Sequence, residues 1–312
     1  MQSRNVFAGP YLERAAHLRS DPAWFDNALA DPRSRVVPVW NSRSLVADGD
    51  TPGVDTPGVD TPAAATPRAA FLDLTQIPLE RHNVNDLILL GHFNGTNYFA
   101  YEIDSAEPPA APSGTRYEDL RLLAAVLPPE DSGLLGYARA MVTWRRRHRY
   151  CGTCGSKTVP AKGGHVLVCT NPVCRHESFP RLDPAIIVLV SDAERALLGR
   201  QASWPRGRYS TIAGFVEPGE SLEDAVAREV FEETGVTVDG IEYHSSQPWP
   251  FPSSLMIGFH ATAAPGSPVQ VSGELEAAAW FTREQIRSGQ TLVPPSHAIS
   301  YRLISAWLEG HE

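Results

Sequence analysis

GFVEPGESLEDAVAREVFEETGV, residues Gly214 to Val236, is the stretch from which the rest of the chain can be read. Glu217-Pro218-Gly219 is a turn signal between an apolar strand end and a helical run. Ser221 with Asp224 three residues on makes a capping-box pattern that starts a helix. Gly235 stands where a helix-ending glycine belongs. On that helix Glu229, Glu232 and Glu233 fall at i, i+3 and i+4, so they share one face and repel one another. Three glutamates alone read most simply as a solvated acidic face. The other reading is a seat for a divalent cation, because hard cations such as Mg²⁺ prefer carboxylate oxygens.

The surrounding residues favour the cation. Gly214, Glu220, Arg228, Glu229, Glu232, Glu233 and Gly235 fill every fixed position of the Nudix box, and Val230 and Val236 fill its aliphatic ones. The chain thus resembles the Nudix hydrolases. That resemblance implies a metal-dependent enzyme that cuts a diphosphate linked to a nucleoside.

Upstream, Cys151, Cys154, Cys169 and Cys174 are spaced C-x2-C-x14-C-x4-C. Disulfides are one reading. The N-terminal MQSRNVFAGP lacks the apolar core of an export signal, which counts against them. Two close pairs separated by a loop match a structural zinc ribbon. Gly155 suits the first knuckle turn, whereas the second pair is more widely spaced. His165 and His176 could substitute, yet four thiolates already close a tetrahedron, so both histidines are expected to be bystanders. A closed four-coordinate site is structural rather than catalytic.

Downstream, Ser246-Gln247-Pro248-Trp249-Pro250-Phe251-Pro252-Ser253-Ser254 reads as a proline-braced loop. Its Trp and Phe could stack on flat rings or simply pack in a core. The run matches the SQPWPFPxS array of the NADH pyrophosphatase branch of the Nudix hydrolases. Phe179-Pro180-Arg181 after the last cysteine, and Glu274-Leu275 ahead of Ala279-Trp280-Phe281, resemble the same branch. Phe179 replaces the Tyr of some members, and Ala277 stands where a second Glu is common.

This resemblance implies roles residue by residue. Glu229, Glu233 and Glu274 would hold Mg²⁺ or Mn²⁺, helped by Glu232 and the carbonyl of Ala213, with Glu233 or Glu274 acting on the attacking water. Arg228 would brace Glu220. Phe215 would sit at the base site, and Gln247, Pro248, Trp249, Pro250, Phe251, Pro252, Ser253 and Ser254 would cradle the dinucleotide. Phe179 would stack on adenine, and Ser300 and Arg121 would complete the substrate set. One structural zinc per chain and a homodimer are further implications. The implied substrates are NADH, NAD and related dinucleotides, with NAD-capped RNA presenting the same diphosphate; the products would be AMP and nicotinamide mononucleotide. Two alternatives are a general dinucleotide or ADP-ribose pyrophosphatase, and a zinc-ribbon nucleic-acid regulator with an inactive Nudix domain.

The rest of the chain frames this site. Arg35–Trp40, Phe71–Leu74, Leu87–Phe93, Tyr98–Ile103, Ala185–Val190, Ala196–Arg200, Tyr209–Gly214, Leu255–Thr262 and Ala278–Phe281 read as strands. Asn94-Gly95 is a hairpin signal. Tyr117–Leu127, Ser132–Arg149 and Ser296–Leu308 read as helices. The basic end of the second, WRRRHRY, suits a helix dipole, or less simply a nucleic-acid contact. Mixed strands and helices predict a three-layer α/β/α sandwich around a mixed sheet. The expected division is an N-terminal Nudix-like α/β domain over 1–127, with a flexible TPGVD-repeat insertion at 48–67. A linker helix and small zinc ribbon follow over 128–180, then the catalytic domain over 181–312.

At 312 residues, 42% hydrophobic and 20% charged, the composition is that of a soluble globular protein of more than one domain. A net charge of -9 argues against a broad grip on a phosphate backbone, while leaving room for a local basic patch. The longest aliphatic run is too short to cross a bilayer. The expectation is a cytoplasmic protein with no membrane partner.

Overall fold

The computed structural model describes residues 5–9, 12–49, 66–77, 84–192, 194–271 and 273–310. Its packing divides into two compact units. One comprises Phe7–Arg181 with Pro250–Ser253, the other Met1–Val6, Leu182–Trp249 and Ser254–Glu312.

The first unit opens with helix α1 (Pro22–Ala30), whose start is set by Asp21 accepting from the Trp24 amide and by Pro22 at the first turn. A seven-stranded sheet follows: β1 (Arg35–Trp40), β2 (Arg43–Asp48), β3 (Pro67–Ala69), β4 (Leu72–Asp73), β5 (Ile88–Phe93), β6 (Thr96–Ile103) and β7 (Thr115–Asp119). It is mixed, because β1 runs parallel to β6 while the other pairs are antiparallel. Asn94 and Gly95 both take positive φ, 50° and 75°, as a two-residue hairpin turn requires. Val36, Leu87, Leu89 and Phe99 build the core under α1.

Helices α2 (Leu120–Leu123) and α3 (Pro129–Arg147) come next, then the ribbon strands β8 (Thr158–Ala161), β9 (Val166–Cys169) and β10 (Glu177–Ser178). Arginines at and just beyond the end of α3 include two with partners inside this unit. Arg145 donates to the carbonyls of Asn85, Asp86 and Leu87 at 2.7, 3.0 and 3.4 Å, and Arg149 reaches Glu102 at 3.5 Å.

In the second unit β11 (Asp183–Ser191), β12 (Arg195–Arg200) and β13 (Ile212–Phe215) precede α4 (Leu222–Thr234). After it come β14 (Val238–Trp249), β15 (Ser254–Ala263), β16 (Ala277–Thr282), α5 (Arg283–Arg287) and α6 (Ile299–Glu309). The sheet order is β14-β15-β11-β12-β16, with β13 also on β11, and β11 parallel to β15. Side chains alternate along a strand, and β11 uses both faces. Ile186, Val188 and Val190 pack with Val226 and Val230 of α4. Ile187 and Leu189 pack with Leu303 and Trp307 of α6. The three-layer α/β/α sandwich with a mixed sheet is therefore present. Each fully buried aliphatic side chain in these layers contributes roughly 1.5–3 kcal/mol.

Several expectations are corrected. Tyr117–Leu127 is not one helix: Thr115–Asp119 pairs along β2, and the helix starts at Leu120, capped by the Asp119 carboxylate. The FLDL strand shortens to Leu72–Asp73, because Asp73 caps a 3-10 turn over Leu74–Gln76. Ser246–Trp249 is not loop but the end of β14, opposite Ser254–Ile257. Pro248 is tolerated there because β14 is an edge strand, where a missing N–H costs little. Of the 48–67 insertion, residues 50–65 lie outside the described residues. Asp48 and Pro67 are paired strand residues. Among the described residues no helix is long and apolar enough to cross a membrane.

Candidate active site and metal centre

Helix α4 begins where its capping box closes. Ser221 Oγ accepts from the Asp224 amide at 3.1 Å, and the Asp224 carboxylate accepts from the Ser221 amide at 3.0 Å. It ends at Gly235, whose φ of 70° would strain a side-chain-bearing residue and whose amide donates to the Phe231 carbonyl at 2.8 Å. The four charged residues near its end are thereby set on one stretch of helix.

Arg228 is the hub. Its guanidinium grips both oxygens of Glu220 at 2.7 and 3.0 Å, donates to Glu229 at 2.9 Å and Glu232 at 3.0 Å, and reaches the Phe215 carbonyl at 3.0 Å. A bidentate fork of this kind is strong and directional. Beside it the Glu220 carboxyl is held down at about 2. Glu220 also accepts from the Glu217 amide at 2.7 Å, so the turn after β13 is tied to the helix.

Glu233 differs from its neighbours. It is buried, and burial first, then the Glu229 and Glu274 carboxylates, push it up to about 7. Glu274 itself is exposed. These carboxylates are oxygen donors of the kind a hard divalent cation takes, yet among the described residues only the four cysteines have ligand atoms already drawn together. Ala213 stands on β13 opposite Ile187.

Gly214 is required for space. A Cβ there would lie 1.9 Å from the Glu229 carboxylate carbon. Gly214→Ala should therefore shift Glu229 while leaving the fold intact, because the clash is with the end of a flexible side chain. We expect kcat/KM to fall about 10- to 100-fold, the scale of a small misplacement of a reacting group, with an unchanged melting temperature. A variant with wild-type kinetics would show that the position of Glu229 does not matter.

The four cysteines form the second centre. Their sulfurs all lie within 4.8 Å of one another, with Cys154–Cys169 at 3.4 Å and Cys151–Cys174 at 3.9 Å. A disulfide needs about 2.05 Å, so that reading is set aside. A tetrahedron with Zn–S near 2.3 Å would space its sulfurs about 3.8 Å apart, so the donors fit zinc. Hydrogen bonds from Ser156 lower Cys154 to about 6, whereas burial pushes Cys169 up to about 12, a conflict that a bound cation resolves. Gly155 and Arg175 take the left-handed conformation just after Cys154 and Cys174, with φ of 76° and 47°. His165 is engaged elsewhere. Burial holds it neutral, down at about 4, and its Nε2 bonds to the Leu89 carbonyl at 2.6 Å.

Comparison with known proteins agrees with both centres. A NUDIX domain model matches residues 181–308, an NADH pyrophosphatase-like rudimentary NUDIX domain residues 33–144, and an NADH pyrophosphatase zinc ribbon domain residues 146–179. The NAD-capped RNA hydrolase NudC of Stutzerimonas stutzeri (strain A1501) is 42% identical over 219 residues, 70% of this chain and 76% of its own. The protein of that name from Mycobacterium bovis (strain BCG / Pasteur 1173P2) is 41% identical over 238 residues, 71% and 75% of the two chains. The chain belongs to the NUDIX hydrolases. Within them it falls in the NADH pyrophosphatase branch.

In this NUDIX hydrolase the proline-rich array is divided. Gln247 is fully buried, and both of its amide N–H donors are used, on the carbonyls of Val6 at 3.2 Å and His297 at 2.8 Å. Its carbonyl accepts from the Ile299 amide at 2.8 Å, which caps α6. Trp249 is half-buried at the end of β14, opposite Ser254. Pro250 to Ser253 belong to the other unit. There Phe251 is buried edge-on against Phe7, and Arg121 and Arg139 lie over its ring, 4.7 and 4.9 Å from its centroid. Phe215 is well exposed, while Ser300 is buried in α6. Phe179 is half-exposed and lines a cavity of about 300 Å³ with Arg19, Lys162 and His165.

Sequence reasoning missed the capping work of Gln247, the part played by Arg139, and the buried Arg200, which pairs with Glu276 at 2.5 Å. A hint for Arg200 was an arginine closing an apolar strand. Nothing local marks Arg139.

Proposed function

We propose that this NUDIX hydrolase cleaves the diphosphate of NAD(H) to nicotinamide mononucleotide and AMP, and acts on the same linkage at the 5′ end of NAD-capped RNA. The observation that carries the reading is that relatives named NAD-capped RNA hydrolase align over three quarters of their length, 76% and 75%.

In this reading Glu229, Glu233 and Glu274, with Glu232 and the Ala213 carbonyl, hold Mg²⁺ or Mn²⁺. The cation supplies polarisation of the phosphoryl oxygens and a lowered pKa of bound water. Arg228 and Glu220 keep the turn after Phe215 in place, and Arg228 orients Glu229 and Glu232. Glu233 or Glu274 takes a proton from the attacking water. The water oxygen bonds to one phosphorus, the bridging P–O bond breaks, and two mononucleotides leave. Phe215, Trp249 and Ser254 contribute to holding the dinucleotide. One zinc on the four cysteines keeps the ribbon folded. The enzyme works as a cytoplasmic homodimer.

The test is product analysis of purified protein with NADH and either cation, beside NAD-capped RNA and ADP-ribose. Nicotinamide mononucleotide and AMP are the expected products. A higher kcat/KM on ADP-ribose than on NADH would sink the assignment. Stacking on a base is worth about 1–3 kcal/mol. Trp249→Ala should therefore lower kcat/KM on NADH roughly 5- to 150-fold, with a smaller loss on ADP-ribose, which lacks nicotinamide. Equal losses would make Trp249 scaffold.

A further inference from the structure

The turn Pro250–Ser253 is carried by two strands of the catalytic unit, yet its own packing lies with the N-terminal unit. Arg139 on α3 contacts it at two points. Its Nε donates to the Pro250 carbonyl at 2.7 Å, and its Nη1 donates to the Ser42 carbonyl at the β1–β2 turn. Its guanidinium lies over the Phe251 ring, together with that of Arg121.

Among the described residues no carboxylate forms an ion pair with Arg139. Burial disfavours its charge, and the neighbouring Arg121 and Arg146 add to the cost, which Asp119 offsets only in part. A half-buried cation bonded to two main-chain carbonyls and to no carboxylate contributes little to stability. Its planar fork is well suited to geometry, since one rigid group meets two carbonyls and a ring face at once. Such local costs are tolerated where position matters.

We propose that Arg139 is a positioning residue for substrate recognition: it locks Pro250–Ser253 to the rudimentary domain and thereby sets Trp249, the residue bonded to that turn. The inference rests on the reading that Trp249 and Ser254 contribute to holding the dinucleotide. A lysine at 139 keeps the charge and most of the length, but its point-like ammonium cannot serve both carbonyls and the ring.

The test pairs local hydrogen exchange with steady-state kinetics on Arg139→Lys in the full chain. The amides of Phe251, Ser253 and Ser254 should exchange at least about tenfold faster, with the rest of α3 unchanged. KM for NADH should rise about tenfold, the scale of one lost charge-assisted hydrogen bond, while kcat stays within about twofold. Phe251→Leu removes the ring but leaves the two hydrogen bonds, and should move KM the same way by about threefold. Unchanged exchange in Arg139→Lys, or faster exchange with an unchanged KM, would overturn the proposal. A lower melting temperature without a KM change in both variants would reduce Arg139 to scaffold and also overturn it. Wild-type protein that does not turn over NADH would refute the substrate reading instead, and the exchange experiment would still decide whether Arg139 holds the turn.

Discussion

Glu233→Gln is expected to lower kcat by about 10²–10⁴-fold, the range associated with losing one acid–base group. Glu233 is buried on the carboxylate face of α4, where Glu229 and Glu274 add to the cost of ionising it. Glutamine keeps the shape and removes the charge, so a cation loses an oxygen donor of full charge and water loses a proton acceptor. The fold should not suffer. Because its pKa in the folded chain lies above the ordinary 4.5, at about 7, ionisation of Glu233 disfavours the fold. The stability held below about pH 4.5 is lost as pH rises through 7. Glutamine removes that loss. Without added Mg²⁺ or Mn²⁺, the variant should melt at the same temperature as wild type or higher at pH 8. The combination is diagnostic: an inactive variant that melts lower is simply misfolded, and a fully active one removes Glu233 from the mechanism.

The second large effect is expected from the ribbon. Cys151→Ser should bring bound zinc from one per chain to near zero and lower the melting temperature by about 10 °C or more. Structural zinc contributes on the order of 10–16 kcal/mol of apparent binding energy in isolated fingers. Even a third of that corresponds to such a shift in a chain of this size. The sulfurs of Cys151 and Cys174 are 3.9 Å apart without a bond between them, so the turns before β8 and after β9 depend on what the four thiols bind. Emission spectroscopy of freshly purified protein for zinc, with calorimetry of the variant, checks both numbers. A zinc-free wild type, or a variant melting with the wild type, would count against a structural metal.

What could be read directly from the chain is local. The helix Leu222–Thr234 is specified within its own span, by the Ser221–Asp224 box at one end and Gly235 at the other. Arg228 meets Glu220, Glu229 and Glu232 within eight residues of itself. The cysteines announce themselves by spacing, and the strand Ala185–Val190 by an unbroken apolar run.

Tertiary structure alone decided the rest, because those contacts join residues distant in sequence whose types carry no signal. Thr115–Asp119 is a strand only because β2 lies beside it, whereas its residues favour neither state strongly. Pro248 sits in a strand only because that strand is an edge. Gln247 looks like a ligand donor in sequence, but its amide caps a helix 52 residues away. Phe251 looks like an open stacking surface, but Phe7, Arg121 and Arg139 already cover its ring. Arg139 reaches the Pro250 carbonyl across 111 residues. Capping and periodic patterns are set by neighbours along the chain. A buried hydrogen bond between two remote groups is set by where the sheets bring them, and no short window of sequence contains both partners.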